Sequence, residues 1–266
     1  MKNIVSSYRP ISLEEMRSVK LLNRTDTKFV ASREQVLLLL RMAGTEYRIQ
    51  ETDGLRIQPY HTIYFDTEDL KMYNDHQHGQ FSRQKVRIRS YLHSHLSFLE
   101  VKTKNNHRRT HKKRKTIDFV NYPVMPMGYI TNENCIEPHQ SFLSEHLHVP
   151  LHRLIPQLEN QFNRITLVNN DCTERLTIDT DLRFRNYVTG KTHSLEQIAI
   201  IELKRDGLRR SPILEMLRKL RIMPHGFSKY CMGTAYTNSQ APLNLFKERL
   251  HYVKRIITKQ NNFIIT

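Results

Sequence analysis

The chain has 266 residues, of which 38% are apolar, and its 42 Lys and Arg outnumber 26 Asp and Glu to give a formal charge of +16. That length and apolar content support a real core in one large domain or two small ones and exclude wholesale disorder. The charge points to an anionic partner, whether nucleic acid, an anionic membrane or phosphorylated small molecules.

From the N-terminus, residues 11–20 predict a short helix, with Ser12 as N-cap and Glu15 three positions on. Residues 21–30 alternate Arg24, Asp26 and Lys28 with Thr25, Thr27 and Phe29, which is strand spacing with charge on one face. Ser32 and Gln35 stand in capping-box register for the next helix, which Gly44 closes as a C′ residue. Residues 60–66 read as a strand and 66–76 as a short helix, with a turn at Gly79. His76 and His78 lie two apart in a polar segment with no third ligand in register, so a metal site is not expected there.

Residues 83–104 carry the strongest pattern. They read as two strands joined by a short turn, with Arg87 and Arg89 two apart in the first and Glu100, Lys102 and Lys104 two apart in the second. Successive strand side chains point to opposite faces. Each charged set therefore shares a face, while Val86, Ile88, Leu99 and Val101 occupy the other. If the charged face lines a cavity, that cavity suits a polyanion. The basic run 105–115 follows. Arg108 and Arg109 read as a solvated turn, and Lys112 and Arg114 alternate into a further strand.

Residues 121–157 hold five of the ten prolines and read as an insertion or helical cap between two sheet halves, with a short helix at 141–147. Strands return at 161–169, carrying Arg164, and at 175–187, where a turn near 179–181 separates two strands. A strand at 199–206 repeats the Glu-x-Lys pattern with Glu202 and Lys204. Ser211 and Pro212 start an amphipathic helix, Lys229 sits in a weakly charged stretch, and a basic helix ends the chain. The sum is about eight strands. No phosphate loop of the form GxxxxGK[ST] or GxGxxG occurs among only eight glycines. Cys135, Cys172 and Cys231 are odd in number, without CxxC, so neither a disulfide framework nor a thiolate zinc site is expected. There is no apolar signal core and no run of about 18 apolar residues. A soluble, cytoplasmic protein is the expectation.

The ordered strings LLNRTDTKF, YFDT, KVRIRSY, FLEVKTK, KKRK, NR, ERLTIDTDL, IIELK and FSKY resemble the catalytic domain of the vacuolar transporter chaperone family, over roughly residues 8–235. That domain is a polyphosphate polymerase of the triphosphate tunnel metalloenzyme, or CYTH-like, superfamily. The resemblance implies an α+β fold: an antiparallel eight-stranded β-tunnel with helices packed outside and capping it. It places the tunnel domain at 1–240 and a basic helical extension at 241–266. It implies an ATP–polyphosphate phosphotransferase using Mn²⁺ or Mg²⁺, with ATP and polyphosphate or triphosphate as ligands rather than nucleic acid. By matching motif, Lys28, Arg87, Arg89 and Lys102 are the catalytic candidates. Together with Lys112, Arg114, Arg164 and Lys229 they bind substrate, and Glu202 is the metal ligand. The string Arg24–Asp26–Lys28 departs from the E-x-E-x-K of the triphosphatase and cyclase branch, which leans away from simple triphosphatase. Two alternatives stay open: hydrolysis of triphosphate or nucleoside triphosphate in the same tunnel, and a non-enzymatic polyanion binder.

Overall fold

The computed structural model describes residues 1–18, 24–105, 110–120, 137–207 and 210–264. The proposed turn at Arg108 and Arg109, Cys135 and residues 121–136 of the proline-rich stretch lie outside the described residues. The helices are α1 (Lys2–Val5), α2 (Leu13–Ser18), α3 (Arg33–Ala43), α4 (Lys71–Gln77), α5 (Glu137–His146), α6 (Pro212–Lys219), α7 (Lys229–Thr237) and α8 (Lys247–Ile264). The strands are β1 (Arg9–Ile11), β2 (Arg24–Ser32), β3 (Tyr47–Gln50), β4 (Gln58–Asp66), β5 (Arg83–Tyr91), β6 (Leu96–Lys104), β7 (Thr110–Ile117), β8 (Ile155–Asn169), β9 (Glu174–Asn186), β10 (Thr192–Leu195) and β11 (Ile198–Asp206).

Eight strands form one antiparallel path in the order β2-β11-β9-β8-β4-β5-β6-β7. β10 pairs with β9, and β3 joins β1 to β8. Alternation assigns the two faces. On one face, Ile63, Val86, Ile88, Leu99 and Val101 are buried with Leu143 of α5. Further along the same face, Ile165, Leu176, Ile178, Ile201 and Leu203 pack on Leu39 and Leu40 of α3 and on Ile213 and Leu217 of α6. The other face carries the charged set. Residues of β2 (Asp26, Lys28) and of β7 (Thr110, Lys112) line one common cavity, so the sheet curves until its two outermost strands face each other. No ladder joins β2 to β7 among the described residues, which makes the wall an open, tunnel-like trough.

Helices α3, α5 and α6 cover the convex side. Helix α7 instead sits on the concave side. There Tyr230, Cys231 and Met232 pack on Leu158, Phe162, Leu182, Phe184 and Ile200, filling one sector of the trough. The approach is close: a Cβ at Gly233 would lie 2.5 Å from side-chain atoms of both Leu158 and Phe184. The C-terminal α8 lies against β2 and β11, with Val253 fully buried and Tyr252 stacked on His225 at 3.9 Å.

Ser32 and Gln35 form the expected capping box, and Ser12 and Glu15 make the same reciprocal pair of hydrogen bonds at α2. Asp66, at the end of β4, is fully buried and satisfied. It accepts the backbone N–H groups of Thr67, Met72 and Tyr73 and the hydroxyl of Tyr230 at 2.5 Å, tying β4 to the starts of α4 and α7.

Three local expectations are corrected. Residues 174–186 form one continuous strand rather than two strands around a turn. Asp181 adopts φ 54°, and its carboxylate is held by Asn163, Thr180 and Arg33, so the irregularity is a bulge opposite Gln161–Asn163 that bends β9 without reversing it. Gly44 ends α3 at φ −56°, not in the left-handed region. Ser211 occupies the N-cap position of α6, but its hydroxyl makes no capping hydrogen bond.

Candidate functional site

Cross-strand register arranges the concave face in rows. Across β5, β6 and β7 they run Arg83–Lys104–Thr110, Lys85–Lys102–Lys112, Arg87–Glu100–Arg114 and Arg89–Phe98–Thr116. Across β2, β11 and β9 they run Asp26–Lys204–Arg175 and Lys28–Glu202–Thr177. The cavity between these walls has a volume of about 600 Å³. Lys28, Arg87, Arg89, Lys102, Lys112, Arg164, Glu202 and Lys229 all line it. Arg114 does not: it is exposed, with its guanidinium 5.0 Å above the Phe98 ring.

Two buried carboxylates organise the cations. Glu100, 1% exposed, takes Arg87 at 2.6 Å on one oxygen and Lys112 on the other. Burial alone would raise the Glu100 pKa, but Arg87, Arg89 and Lys112 overcome it and hold the carboxyl well below the usual range. Asp179, 3% exposed, takes Arg164 through two bonds of 2.6 and 2.7 Å and also the Lys229 ammonium. Its pKa is likewise depressed against burial, by Arg164 and Lys229. Arg164 also sits 4.9 Å over the Tyr60 ring, and the Lys229 nitrogen 4.4 Å over Phe162.

The loop before α7 fixes two further lysines. Lys28 Nζ donates to the Phe227 carbonyl at 3.1 Å, and Lys85 Nζ donates to Ser228 Oγ at 2.9 Å. The Ser228 hydroxyl in turn caps α7 by accepting from the Cys231 N–H. Desolvation first, then neighbouring cations, brings Lys102 down to about 7 and Lys85 to about 8. Desolvation, followed by Arg164, lowers Lys229 to about 8 even though Asp179 opposes it. Lys102 makes no ion pair among the described residues. His76 reaches the cavity wall but is neutral: desolvation, then Lys85 and Arg83, depress it to about 2.

Among the described residues, the carboxylates that line the cavity itself are Asp26 and Glu202. No cluster of three or more His, Cys, Asp or Glu occurs among the described residues, so a caged metal site does not fit. A cation shared with substrate does. The ion pair of Glu202 with Lys204 spans 3.7 Å, longer than a charge-assisted hydrogen bond, which leaves this carboxylate far less committed than Glu100 or Asp179. Burial would raise its pKa, yet Lys28, Lys204, Arg164 and Lys102 bring it to about 2, so it is ionised. One hard oxygen donor of this kind suits Mg²⁺ or Mn²⁺ whose remaining ligands are phosphate oxygens and water.

Sequence reasoning passed over Arg83, Lys85, Arg175, Ser228 and Asp179. Lys85 shares the parity of Arg87 and Arg89, which is the signal that would have found it. Asp179 was hidden in a segment read as a turn.

Comparison with solved structures finds a candidate adenylate cyclase of Bacillus halodurans, 12% identical, with a TM-score of 0.46 over 78% of this chain and 96% of that one. It also finds a candidate adenylyl cyclase of Hippeastrum, described as having a dominant triphosphatase activity, 16% identical, with a TM-score of 0.47 over 82% and 98%. The PH1819 protein of Pyrococcus horikoshii OT3 is 12% identical, with a TM-score of 0.42 over 80% and 99%. Among curated proteins, none matches. The family model of the VTC domain matches residues 23–238, which include every strand and helix that contributes to the cavity: the chain belongs to the VTC domain family.

Proposed function

We propose that this protein is a polyphosphate polymerase that transfers the γ-phosphoryl group of ATP to the terminal oxygen of a polyphosphate chain and releases ADP. The observation that carries the reading is the extent of the cationic lining. It begins with Arg83 and Lys104, where β5 starts and β6 ends, and continues to Arg175 and Lys204, where β9 starts and β11 ends. Those strand ends lie at opposite ends of the sheet. A single triphosphate carries about four negative charges, which a shorter lining would match.

Phosphoryl transfer asks the protein for in-line positioning and charge neutralisation rather than covalent chemistry. Glu100 orients Arg87, and Asp179 orients Arg164 and Lys229, so these cations are fixed before substrate arrives. Arginine offers bidentate contact to phosphate oxygens, and Lys102 and Lys28 serve as point charges near Glu202. Glu202 would hold a divalent cation, which when bound neutralises charge on the phosphate oxygens and the departing diphosphate. The acceptor oxygen is already anionic. It attacks the γ-phosphorus, the bond from that phosphorus to the β-bridging oxygen breaks, and ADP leaves with the electron pair, so no general base is needed.

The test is incubation of the purified protein with ATP and Mn²⁺, with products resolved by chain length while ADP and free phosphate are assayed. A ladder of chains with matching ADP supports a polymerase. Free phosphate without a ladder makes the trough a hydrolase, and neither product leaves a binding role.

A further inference from the structure

Two of the cavity lysines are held by neutral acceptors, and both acceptors belong to one short segment, residues 224–228. Lys28 donates to the Phe227 carbonyl and Lys85 to the Ser228 hydroxyl. Arg87, Lys112, Arg164 and Lys229 are instead held by the buried carboxylates Glu100 and Asp179. The segment is tied to β2 by an isolated bridge from Pro224 to Phe29 and by the His225 N–H, which donates to the Lys28 carbonyl at 2.8 Å. Gly226 is exposed and adds backbone freedom between His225 and Phe227. Further support comes from the far end of the chain. Tyr252 of α8 lies flat on the His225 imidazole, with ring centroids 3.9 Å apart and planes 13° from parallel. The Arg255 guanidinium lies 5.4 Å over the same tyrosine ring. Leu250, Val253, Ile256 and Ile257 of α8 join the apolar cluster that buries Phe227.

Resting on the phosphate-binding part of the proposed function, we infer that Tyr252 is a positioning residue. Through its stack on His225 it holds the Phe227 carbonyl and the Ser228 hydroxyl where they fix Lys28 and Lys85. Helix α8 thus completes the site, although it lies outside the matched residues 23–238. The physical reason is that a neutral acceptor cannot cancel charge. Glu100 and Asp179 attract their cations and draw them back after any displacement, whereas a carbonyl and a hydroxyl give a weaker hold. The repulsion of Lys85 by Lys28 and Arg87 therefore loads the two acceptors, and the segment yields unless something outside the cavity holds it. Tyr252 and His225 do not line the cavity, so they bear that load without meeting substrate, and an aromatic contact brings no further charge to the site. Lys28 is also the register partner of Glu202, so its placement sets the positive charge beside the candidate metal ligand.

The experiment uses the full chain. Inorganic tripolyphosphate in excess chelator is titrated calorimetrically, and a melting curve is recorded for each variant. Tyr252→Leu removes the stacked ring and is expected to weaken tripolyphosphate binding about fivefold to tenfold, the scale of one lost hydrogen bond. Tyr252→Phe keeps the ring and should bind within about twofold of wild type. Val253→Ala loosens the packing of α8 and leaves both stacked rings in place. It is expected to lower the melting temperature at least as far as Tyr252→Leu and yet to keep tripolyphosphate affinity within about twofold of wild type. Wild-type affinity in Tyr252→Leu overturns the positioning role, as do affinity losses that simply follow the melting temperatures across the three variants. If Tyr252→Leu does not fold, His225→Leu decides in its place, since it removes the other ring of the stack and keeps the backbone N–H that Lys28 accepts. A wild type with no affinity for tripolyphosphate overturns the phosphate reading and this role together. Failure of the polymerase reading alone is seen separately, in the product ladder, and does not enter these titrations.

Discussion

Arg164 grips Asp179 with two parallel bonds, Nε to Oδ1 at 2.6 Å and Nη2 to Oδ2 at 2.7 Å, and the Lys229 ammonium completes a buried triad. The carboxylate occupies the place that an anionic ligand would otherwise have to fill for both cations. In Asp179→Asn they face each other without it. Breaking a buried pair by removing one partner costs about 3–5 kcal/mol, which should lower the melting temperature of the empty protein on the order of 10 °C. Tripolyphosphate should recover part of the loss. Scanning calorimetry with and without the anion measures both, and an unchanged melting temperature in the empty variant would show that the triad is not structural.

Lys102 at about 7 and Lys85 and Lys229 at about 8 imply a pH dependence. The unfolded chain keeps these three protons up to about pH 10, while the folded, empty protein releases them from about pH 7 upward. The unfolded state therefore binds more protons between pH 7 and 10, and these groups make the empty protein more stable as pH rises through that window. A bound polyanion favours the charged forms, so binding takes up protons near pH 8 and weakens above it. Titrations at pH 8 in buffers of different ionisation enthalpy should give a positive proton uptake, and zero uptake would contradict the shifts.

Glu202→Gln separates metal from phosphate binding. Metal-dependent turnover should fall at least about a hundredfold, while affinity for triphosphate in chelator should hold or increase because a negative charge has left the cavity. Wild-type turnover in the variant would take Glu202 out of the mechanism.

Lys112 and Arg114 are two residues apart on one strand face but differ in environment. Lys112→Ala removes a cavity cation and one of the two partners of Glu100, and should raise the substrate KM about tenfold or more. Arg114→Ala removes an exposed cation lying over Phe98 and should change KM by less than about twofold. Equal effects would mean that Arg114 reaches substrate.

Gly233→Ala tests the seating of α7. The added methyl collides with Leu158 and Phe184, and overpacking of this kind costs about 1–3 kcal/mol. The variant should melt several degrees lower.

Much of the charged wall was legible because period-two alternation is a local signal. Arg87, Arg89, Lys102 and Glu202 follow from it directly once their opposite neighbours are seen to be apolar. The same rule covers Lys85, and only the absence of a second arginine or a Glu-x-Lys pattern let it pass. The bend in β9 was not legible, because Asp181 has the composition of a turn and only its bonds to Asn163, Thr180 and Arg33 keep the strand going. Nor was the placement of α7 on the concave side: an apolar helix packs equally well on either face of a sheet, and the decision rests on Gly233 fitting against Phe184. Arg114 shows the limit of parity. It shares a face with Lys112, but a strand face extends beyond the cavity that it lines.

The division of β5 and β6 into a charged and an apolar face also bears on how the chain folds. Shifting one strand by a single residue against its neighbour would turn Arg87 and Arg89 into the cluster around Leu143 and Leu154 and bring Val86 and Ile88 out in their place. Each unpaired guanidinium entombed in that way costs several kcal/mol, so misaligned hairpins have no stable resting point. Substitutions that neutralise this wall would therefore relax the error checking of the sheet as well as the grip on phosphate, and slow or heterogeneous refolding is the mark they should leave.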